Sequence, residues 1–203
     1  MKKSKAETAQ TRGRIVQTAS EEFRENGIDA TGLSELMAAA GLTHGGFYRH
    51  FESKAQLVAE ACTAGMGSLV ASCETAASKV GKNSGLEGVL ANYLSTKHRD
   101  NRATGCPLVA LGSELARGDE STRSAVSEGV IALIDLIAQQ YGGARPKTAR
   151  SRAMVALSTM VGALTLSRLI VDENLSAAIL RDAHKHLIEG WRAIVSGYHR
   201  SKH

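Results

Sequence analysis

The residues of this sequence that could act chemically on a partner are concentrated between Thr43 and Lys54. Hydroxyl, imidazole, guanidinium and ammonium groups follow one another there, beside two adjacent glycines. Such groups donate hydrogen bonds to phosphates and base edges, and a glycine backbone can approach a bulky partner closely. The run therefore predicts a surface that contacts DNA. With one residue from the turn before it, the expected DNA contacts are Thr31, Thr43, His44, Gly45, Gly46, Tyr48, Arg49, His50 and Lys54.

Two short helices joined by a tight turn must position these groups. Apolar residues recur at helical spacing over 33–40, so one face of the first helix is apolar. Gly41 suits a left-handed C-cap, and Thr43 supplies an N-cap hydroxyl for the next helix. Phe47 and Phe51, four residues apart, can pack inward together. This is the layout of a helix-turn-helix, in which the second helix enters a DNA major groove.

A plain helical hairpin inside an all-α core is the alternative for this stretch. A hairpin gains nothing from Gly45 and Gly46 in its second helix. Each glycine costs about 1 kcal/mol relative to alanine in a helix interior. The two glycines therefore favour the helix-turn-helix.

The run from Leu42 to Lys54, LTHGGFYRHFESK, with Leu57 after it, resembles the DNA-binding signature of TetR-family repressors. Phe47 stands where many members carry a smaller aliphatic residue. The resemblance extends upstream through Ile15, Ala19, Phe23, Gly27 and Thr31. It implies a homodimeric repressor that binds a palindromic double-stranded DNA operator and is released by a small effector.

Composition predicts the fold class independently of this resemblance. Two prolines in 203 residues and no alternating Val/Thr/Tyr runs indicate an all-α chain. We expect a three-helix DNA-binding domain over 1–52 and a helical effector-binding and dimerisation domain over 53–203. Residues 1–14 hold five basic residues against Glu7, so we expect a flexible basic arm able to neutralise phosphates. The net charge of +5 permits a nucleic-acid partner.

Caps and periodicity predict the remaining helices. Thr31 is expected to cap the second helix, and Ser53 with Gln56 forms a capping box that starts a long one. The expected spans are about 11–26, 33–40, 44–50, 53–78, 86–99, 107–115, 121–141, 148–171 and 176–197.

The last two predicted helices carry the dimer hypothesis. The helix over 148–171 is apolar on nearly all sides, more than one core face requires. In TetR-like proteins, which this chain resembles, the last two helices pair with their copies from a second subunit. We therefore predict a homodimer, with a central helix of a monomer as the alternative. The expected interface residues are Leu157, Val161, Leu164, Leu187, Trp191 and Ile194.

The long region after the DNA-binding part predicts a cavity for an effector. A DNA binder without a ligand is the alternative, but dimerisation needs far fewer residues. An apolar cavity indicates an apolar or amphipathic ligand. The expected effector or sensor residues are Cys106, Met66, Tyr93, Leu111 and Thr159.

Cys106 has two interpretations. Pro107 suits the first helical position, so Cys106 is an N-cap, where a helix favours a thiolate. Arg99 and Arg102, close in sequence, would add positive charge to a sensor of electrophiles or oxidants. The alternative is a small cap residue with no redox role. Cys62 and Cys73 are interpreted as ordinary buried helix residues.

No catalytic, metal-binding or cofactor-binding pattern is present in the sequence. His184 and His186, two residues apart, lie on different helix faces and make a poor metal pair. The N-terminus lacks an apolar signal segment, and the most apolar stretch, 153–169, is too short and polar to span a membrane. We therefore expect a cytoplasmic protein that is not an enzyme. A helical enzyme or small-molecule carrier with a hydrophobic cavity is the alternative from another class.

Overall fold

The structure is a computed structural model that describes residues 4–80, 84–141 and 145–200, with only the backbone described over 194–200. The described residues form helices and no strand, which agrees with the predicted all-α class. The helices are α1 Lys5–Asn26, α2 Leu33–Ala39, a 3₁₀ helix His44–Arg49, α3 Lys54–Lys79, α4 Gly85–Tyr93, α5 Thr96–Asp100, α6 Pro107–Ala116, α7 Glu120–Gln139, α8 Pro146–Leu169 and α9 Glu173–Arg200.

The N-terminus of α1 lies earlier than predicted. Ser4 and Glu7 form a reciprocal capping box, so the helix begins at Lys5 and not near Thr11. Residues 5–14 of the expected flexible arm are therefore helical, which corrects that prediction, and residues 1–3 lie outside the described residues.

The predicted start of α3 at Ser53 is confirmed, whereas the single helix predicted over 86–99 is wrong. The amide of Gln56 donates to Ser53 Oγ at 3.1 Å, and this cap starts α3 as expected. The single helix expected over 86–99 is two helices, because the chain leaves the helical path at Leu94 and Ser95. Ser95 then caps α5 by accepting a hydrogen bond from the amide of His98.

The chain divides into two compact units. The first comprises Met1–Ser68 with Arg102–Gly129, and the second comprises Leu69–Asn101 with Val130–His203. Two of the three division points, after residues 68 and 129, lie inside α3 and α7, and the third, after Asn101, lies between α5 and α6. The predicted division at residue 52 separates the DNA-contacting part by its role, and it stays a prediction.

The core of the first unit is built from α1, α2, the 3₁₀ helix and the start of α3. Ile15, Phe23, Leu36 and Leu57 are buried there, as their helical spacing predicts. Helix α6 packs against α1 in the same unit. This core supports the short helix that carries the expected DNA contacts.

The second unit is dominated by the pairing of α8 with α9. The indole N–H of Trp191 donates to the carbonyl of Gln140 at 3.2 Å. Arg168 on α8 donates to the carbonyls of His98 and Arg99, both at 3.0 Å, and so fixes α5. The Trp191 indole and the Arg168 guanidinium are thus hydrogen bonded beside this apolar core.

Candidate nucleic-acid interface

The second helix of the predicted helix-turn-helix is a 3₁₀ helix and not an α-helix. Its bonds run from Gly46 N to Thr43 O and from His50 N to Phe47 O, each 2.9 Å. Six residues with two glycines have weak α-helical propensity, so the tighter and shorter form is favoured. Gly41 has the predicted left-handed φ, at +70°, and closes the turn before it.

Two phenylalanines anchor this 3₁₀ helix to the core. Phe47 and Phe51 are 0% and 2% exposed, and their rings stack with centroids 5.5 Å apart. Met37 of α2, also buried, lies beneath the same turn. The prediction that Phe47 and Phe51 pack inward together is therefore confirmed.

The opposite side of the 3₁₀ helix faces solvent. Tyr48 is 67% exposed, and its ring stands edge-on to Phe47, with centroids 5.2 Å apart, and to His44. His44 Nδ1 lies 3.1 Å from Ser34 Oγ, which orients that imidazole. Arg49 is exposed and has no hydrogen bond or ion pair within the described part of the chain. We call His44, Gly45, Tyr48 and Arg49 the contact face.

The glycines of this helix are not required by the fold itself. A Cβ added at Gly45 would meet nothing within 4 Å, and one at Gly46 would lie 3.7 Å from Met37 Cε. Neither glycine has a positive φ. Open space at Gly45 is therefore available to a partner molecule.

Three of the predicted DNA contacts have different environments from those expected. Thr31 is buried, and its hydroxyl donates to the carbonyl of Gly27, so Gly32 and not Thr31 is the N-cap of α2. Lys54 Nζ donates to the carbonyls of Ile28 at 2.6 Å and Thr31 at 2.7 Å. This ammonium is bonded to backbone carbonyls inside the unit, and its expected role at a phosphate stays a prediction.

Thr43 is the third predicted DNA contact whose environment differs from the expected one. It is exposed at the N-cap of the 3₁₀ helix, but its side chain makes no capping hydrogen bond. His50 is half-buried, and its carbonyl accepts a hydrogen bond from Arg12 Nε at 3.2 Å. Thr43 therefore stays an expected DNA contact, whereas its capping hydroxyl was predicted wrongly.

Cys106 is the N-cap of α6, as predicted, but it is fully buried. Arg99, expected to add positive charge, is bonded to Asp100 and to Ser176 Oγ. The exposure that a reactive sensor thiol needs is therefore absent from this structure.

Arg24 is a buried cation that sequence reasoning missed. It is 5% exposed, its Nε donates to the carbonyl of Ala103 at 2.6 Å, and burial lowers its pKa. Burial also raises the pKa of the Cys62 thiol to about 11, an effect that the nearby Arg24 partly offsets. In the sequence Arg24 resembles a solvated residue in the last turn of a helix, so no local signal distinguishes it.

The predicted effector residues of the first unit serve core packing. A Cβ added at Gly129 would lie 2.5 Å from Met66 Cβ, so α7 packs directly on Met66. Leu111 lines a gap between α1, α3 and α6 that has no room for a water molecule. Both residues are buried, and their expected role at an effector stays a prediction.

The two effector candidates of the second unit differ from each other. Tyr93 is fully buried, with the His98 ring edge-on at 4.7 Å. Burial lowers the pKa of His98. Thr159 is half-buried, and its hydroxyl donates to the carbonyl of Val155 within α8.

Most of the predicted dimer-interface residues lie inside the second unit. Leu157, Leu164, Leu187 and Trp191 are at most 7% exposed, Val161 is half-buried, and the Ile194 side chain lies outside the described residues. Large apolar residues instead face solvent elsewhere on α8. This exposed face consists of Met154, Val155, Leu166 and Leu169.

A groove between α8 and α9 adjoins this exposed face. Its volume is about 240 Å³. Val155, which is 62% exposed, contributes to both features. The lining residues are Tyr141, Ser151, Arg152, Val155, His186, Leu187, Gly190 and Trp191. Sequence periodicity gave no sign of this groove, because its residues come from three segments.

No group of three or more His, Cys, Asp or Glu side chains among the described residues is placed to hold a metal ion. No described helix has the length and apolar character to cross a membrane.

The fold and the contact face define a helix-turn-helix regulator. Residues 15–61 match the family model of bacterial regulatory proteins of the tetR family. Residues 84–186 match the model of the LmrA/YxaF-like transcriptional regulator C-terminal domain. The chain belongs to the TetR family of transcriptional regulators. These are not enzymes, so the alternative of a helical enzyme has no support.

Individual relatives agree with this assignment. A probable acrEF/envCD operon repressor of Escherichia coli K12 is 41% identical over 59 residues, which are 29% of this chain and 27% of that protein. The chain thus spans about a quarter of the length of that relative. An uncharacterised HTH-type transcriptional regulator of Mycobacterium tuberculosis H37Rv is 31% identical over 177 residues, covering 79% of this chain and 86% of that protein.

The fold is shared with solved structures. A TetR transcriptional regulator from Chloroflexus aurantiacus superposes with a TM-score of 0.75 at 24% identity. The match covers 90% of this chain and 94% of that one. At this identity the likeness extends to the fold alone.

Proposed function

We propose that this protein is a transcriptional repressor that binds a two-fold symmetric DNA operator as a homodimer and leaves it when a small effector binds. The observation that carries the proposal is the contact face, where Tyr48 and Arg49 face solvent directly above the buried Phe47 and Phe51. A repressor works where the chromosome is, so we expect a cytoplasmic protein.

The chemistry of the contact face suits a DNA groove. The guanidinium of Arg49 can donate to phosphates or to guanine, and the Tyr48 hydroxyl can donate to a phosphate. The open space at Gly45 lets the backbone approach the duplex closely. The buried phenylalanines keep the backbone of the helix fixed, so little order must be gained on binding.

The homodimer is supported by the exposed face of α8. Val155, Leu166 and Leu169 are 62%, 52% and 70% exposed, and contiguous exposed apolar residues mark interaction surfaces. A Cβ added at Gly162 or Gly190 would meet nothing within 4 Å. Small residues at these points allow helices of a second copy to approach closely. A two-fold protein also matches a two-fold operator.

The effector is expected to be a small apolar or amphipathic molecule. The C-terminal region matched by the family model is larger than a dimer contact requires, which supports a small-molecule ligand. Since Cys106 is fully buried, a reversible apolar or amphipathic ligand is favoured over an electrophile. A thermal-shift screen of such compounds, followed by release of bound DNA, would identify it.

The DNA-binding proposal is tested with labelled DNA from upstream of the gene that encodes the protein. Tyr48→Ala and Arg49→Ala should each lower affinity about tenfold or more while the protein stays folded. Arg181→Ala is the matched control, because Arg181 is equally exposed but lies on α9. Failure of the wild type to bind any upstream fragment, or full affinity in both variants, would contradict the proposal.

A further inference from the structure

Arg12 occupies the point where α1, the end of the 3₁₀ helix and α3 meet. Its Nε donates to the carbonyl of His50 at 3.2 Å. Its two terminal nitrogens donate to the two carboxylate oxygens of Glu60, with Nη2 to Oε1 at 2.6 Å. The guanidinium carbon lies 4.5 Å from the centre of the Phe51 ring. One side chain thus joins three elements of the first unit.

The charge of Arg12 is already compensated inside the protein. The two-pronged hydrogen bond to Glu60 raises the pKa of Arg12. The two side chains are 35% and 31% exposed, so the pair is partly shielded from solvent. Gln56 Nε2 donates to Glu60 Oε1 at 3.2 Å and helps to hold the carboxylate. Although Arg12 belongs to the basic N-terminal stretch, all three nitrogen atoms of its guanidinium have partners within the protein.

The His50 carbonyl and the Phe51 ring lie immediately after the contact face. A helix of six residues has few internal hydrogen bonds of its own, so its direction depends on how its ends are held. A binding site must be held to within about half an ångström by supporting residues. Arg12 supplies this support at one end.

We propose that Arg12 and Glu60 are positioning residues for DNA binding: as a pair they fix the C-terminal end of the 3₁₀ helix, and neither contacts a phosphate. This inference rests on the proposed function and assigns residues to it. Removing the negative charge of Glu60 should therefore weaken DNA binding. Simple electrostatics would predict tighter binding after loss of a carboxylate.

The test measures operator affinity of the full-length protein as a function of salt. The variants are Arg12→Ala, Arg12→Lys, Glu60→Ala and Glu60→Gln, with Arg49→Ala as the contact-face reference. Arg181→Ala is the control, because Arg181 is exposed on α9 and lies outside the basic stretch expected to neutralise phosphates. Circular dichroism melts establish that each variant is folded at the assay temperature.

We expect Arg12→Ala and Glu60→Ala each to lower operator affinity about tenfold, and the double variant to be no worse than either. The slope of log affinity against log salt should stay that of the wild type, since no phosphate contact is lost. Arg49→Ala should reduce that slope by about one. Arg12→Lys keeps the charge but lacks the planar fork, so it should behave like Arg12→Ala. Arg181→Ala should stay within about twofold of the wild type.

Two results would overturn the inference. One is a reduced salt slope in Arg12→Ala, which would make Arg12 a phosphate contact. The other is unchanged or tighter operator binding by Glu60→Ala, or by the isosteric Glu60→Gln if the alanine variant is unfolded. A wild type that binds no upstream DNA would instead refute the proposed function.

Discussion

At the residue scale, polar side chains around the 3₁₀ helix divide into two groups. Tyr48, Arg49 and His44 face solvent. In contrast, the side chains of Lys54 and Thr31 donate hydrogen bonds to backbone carbonyls. Buried carbonyls need partners, and a long cationic side chain can reach two of them at once. Residues of similar type in one motif thus either face solvent, where a partner can reach them, or are bonded within the fold.

Gly45 allows a test that separates these two roles. Because an added Cβ meets nothing in the protein, Gly45→Ala should leave thermal stability unchanged or slightly raised. If DNA approaches this backbone, the same methyl group should lower operator affinity about tenfold. Gly67→Ala on α3 is the matched control, because its added Cβ is also unhindered. Equal affinity of both variants would mean that DNA stays away from Gly45.

The cysteines give a second prediction at this scale. Cys62, Cys73 and Cys106 are at most 3% exposed, and the pKa of Cys62 is raised to about 11, so its thiol stays neutral near pH 8. Labelling of the native protein by a maleimide should therefore be slow at all three and become fast on denaturation. Mass spectrometry of timed samples measures this. Rapid labelling of Cys106 alone in the folded protein would restore the sensor hypothesis.

At the element scale, α6 supports the turn between α1 and α2. Glu114 Oε1 accepts hydrogen bonds from the amides of Ile28 at 2.9 Å and Asp29 at 3.1 Å. These donors follow Gly27, whose φ of +89° ends α1. The carboxylate therefore satisfies backbone groups of a turn that lies about 85 residues earlier in the chain.

Glu114→Ala should lower the free energy of unfolding by about 1–3 kcal/mol, because two amides lose their acceptor. Glu114→Gln, which keeps an oxygen, should lose less. Urea unfolding followed by circular dichroism measures both. The control is Glu128→Ala, since Glu128 is an exposed acidic residue with no hydrogen bond among the described residues. If Glu114→Ala and Glu128→Ala were equally stable, the turn would not depend on α6.

At the scale of the whole molecule, we expect a second copy of the chain to bury the exposed apolar face of α8. Leu166→Glu places a charge on that face and should convert a dimer into a folded monomer. Ile131→Glu is the matched control, because Ile131 on α7 is 47% exposed and lies outside the face. Light scattering coupled to gel filtration gives the masses. A dimer that persists in Leu166→Glu would assign the interface elsewhere.

A substitution among the interface residues expected from the sequence should affect stability and not the dimer. Leu157 is 5% exposed inside the second unit, so Leu157→Ala should destabilise the fold by about 2–5 kcal/mol through a cavity. It should leave the mass of the folded protein unchanged. Dissociation without loss of stability would return Leu157 to the interface.

The sequence by itself determined the helical class, the turn at Gly41, the inward pair Phe47 and Phe51, and the cap positions of Ser53 and Cys106. Each of these depends on residues within a few positions of one another. Glycine at a left-handed turn and proline at a first helical position act locally, so their effect can be predicted without knowing what packs against them.

Tertiary structure alone decided which polar groups are internal and which face of α8 is exposed. Lys54 is bonded to carbonyls 23 and 26 residues away, and Arg12 to a carboxylate 48 residues away. Such partners are brought together only by packing. Helix α8 is apolar nearly all round, so its periodicity does not distinguish an inner face from an outer one. Packing decided between them: Leu157 and Leu164 are buried inside the second unit, whereas Leu166 and Leu169 face solvent.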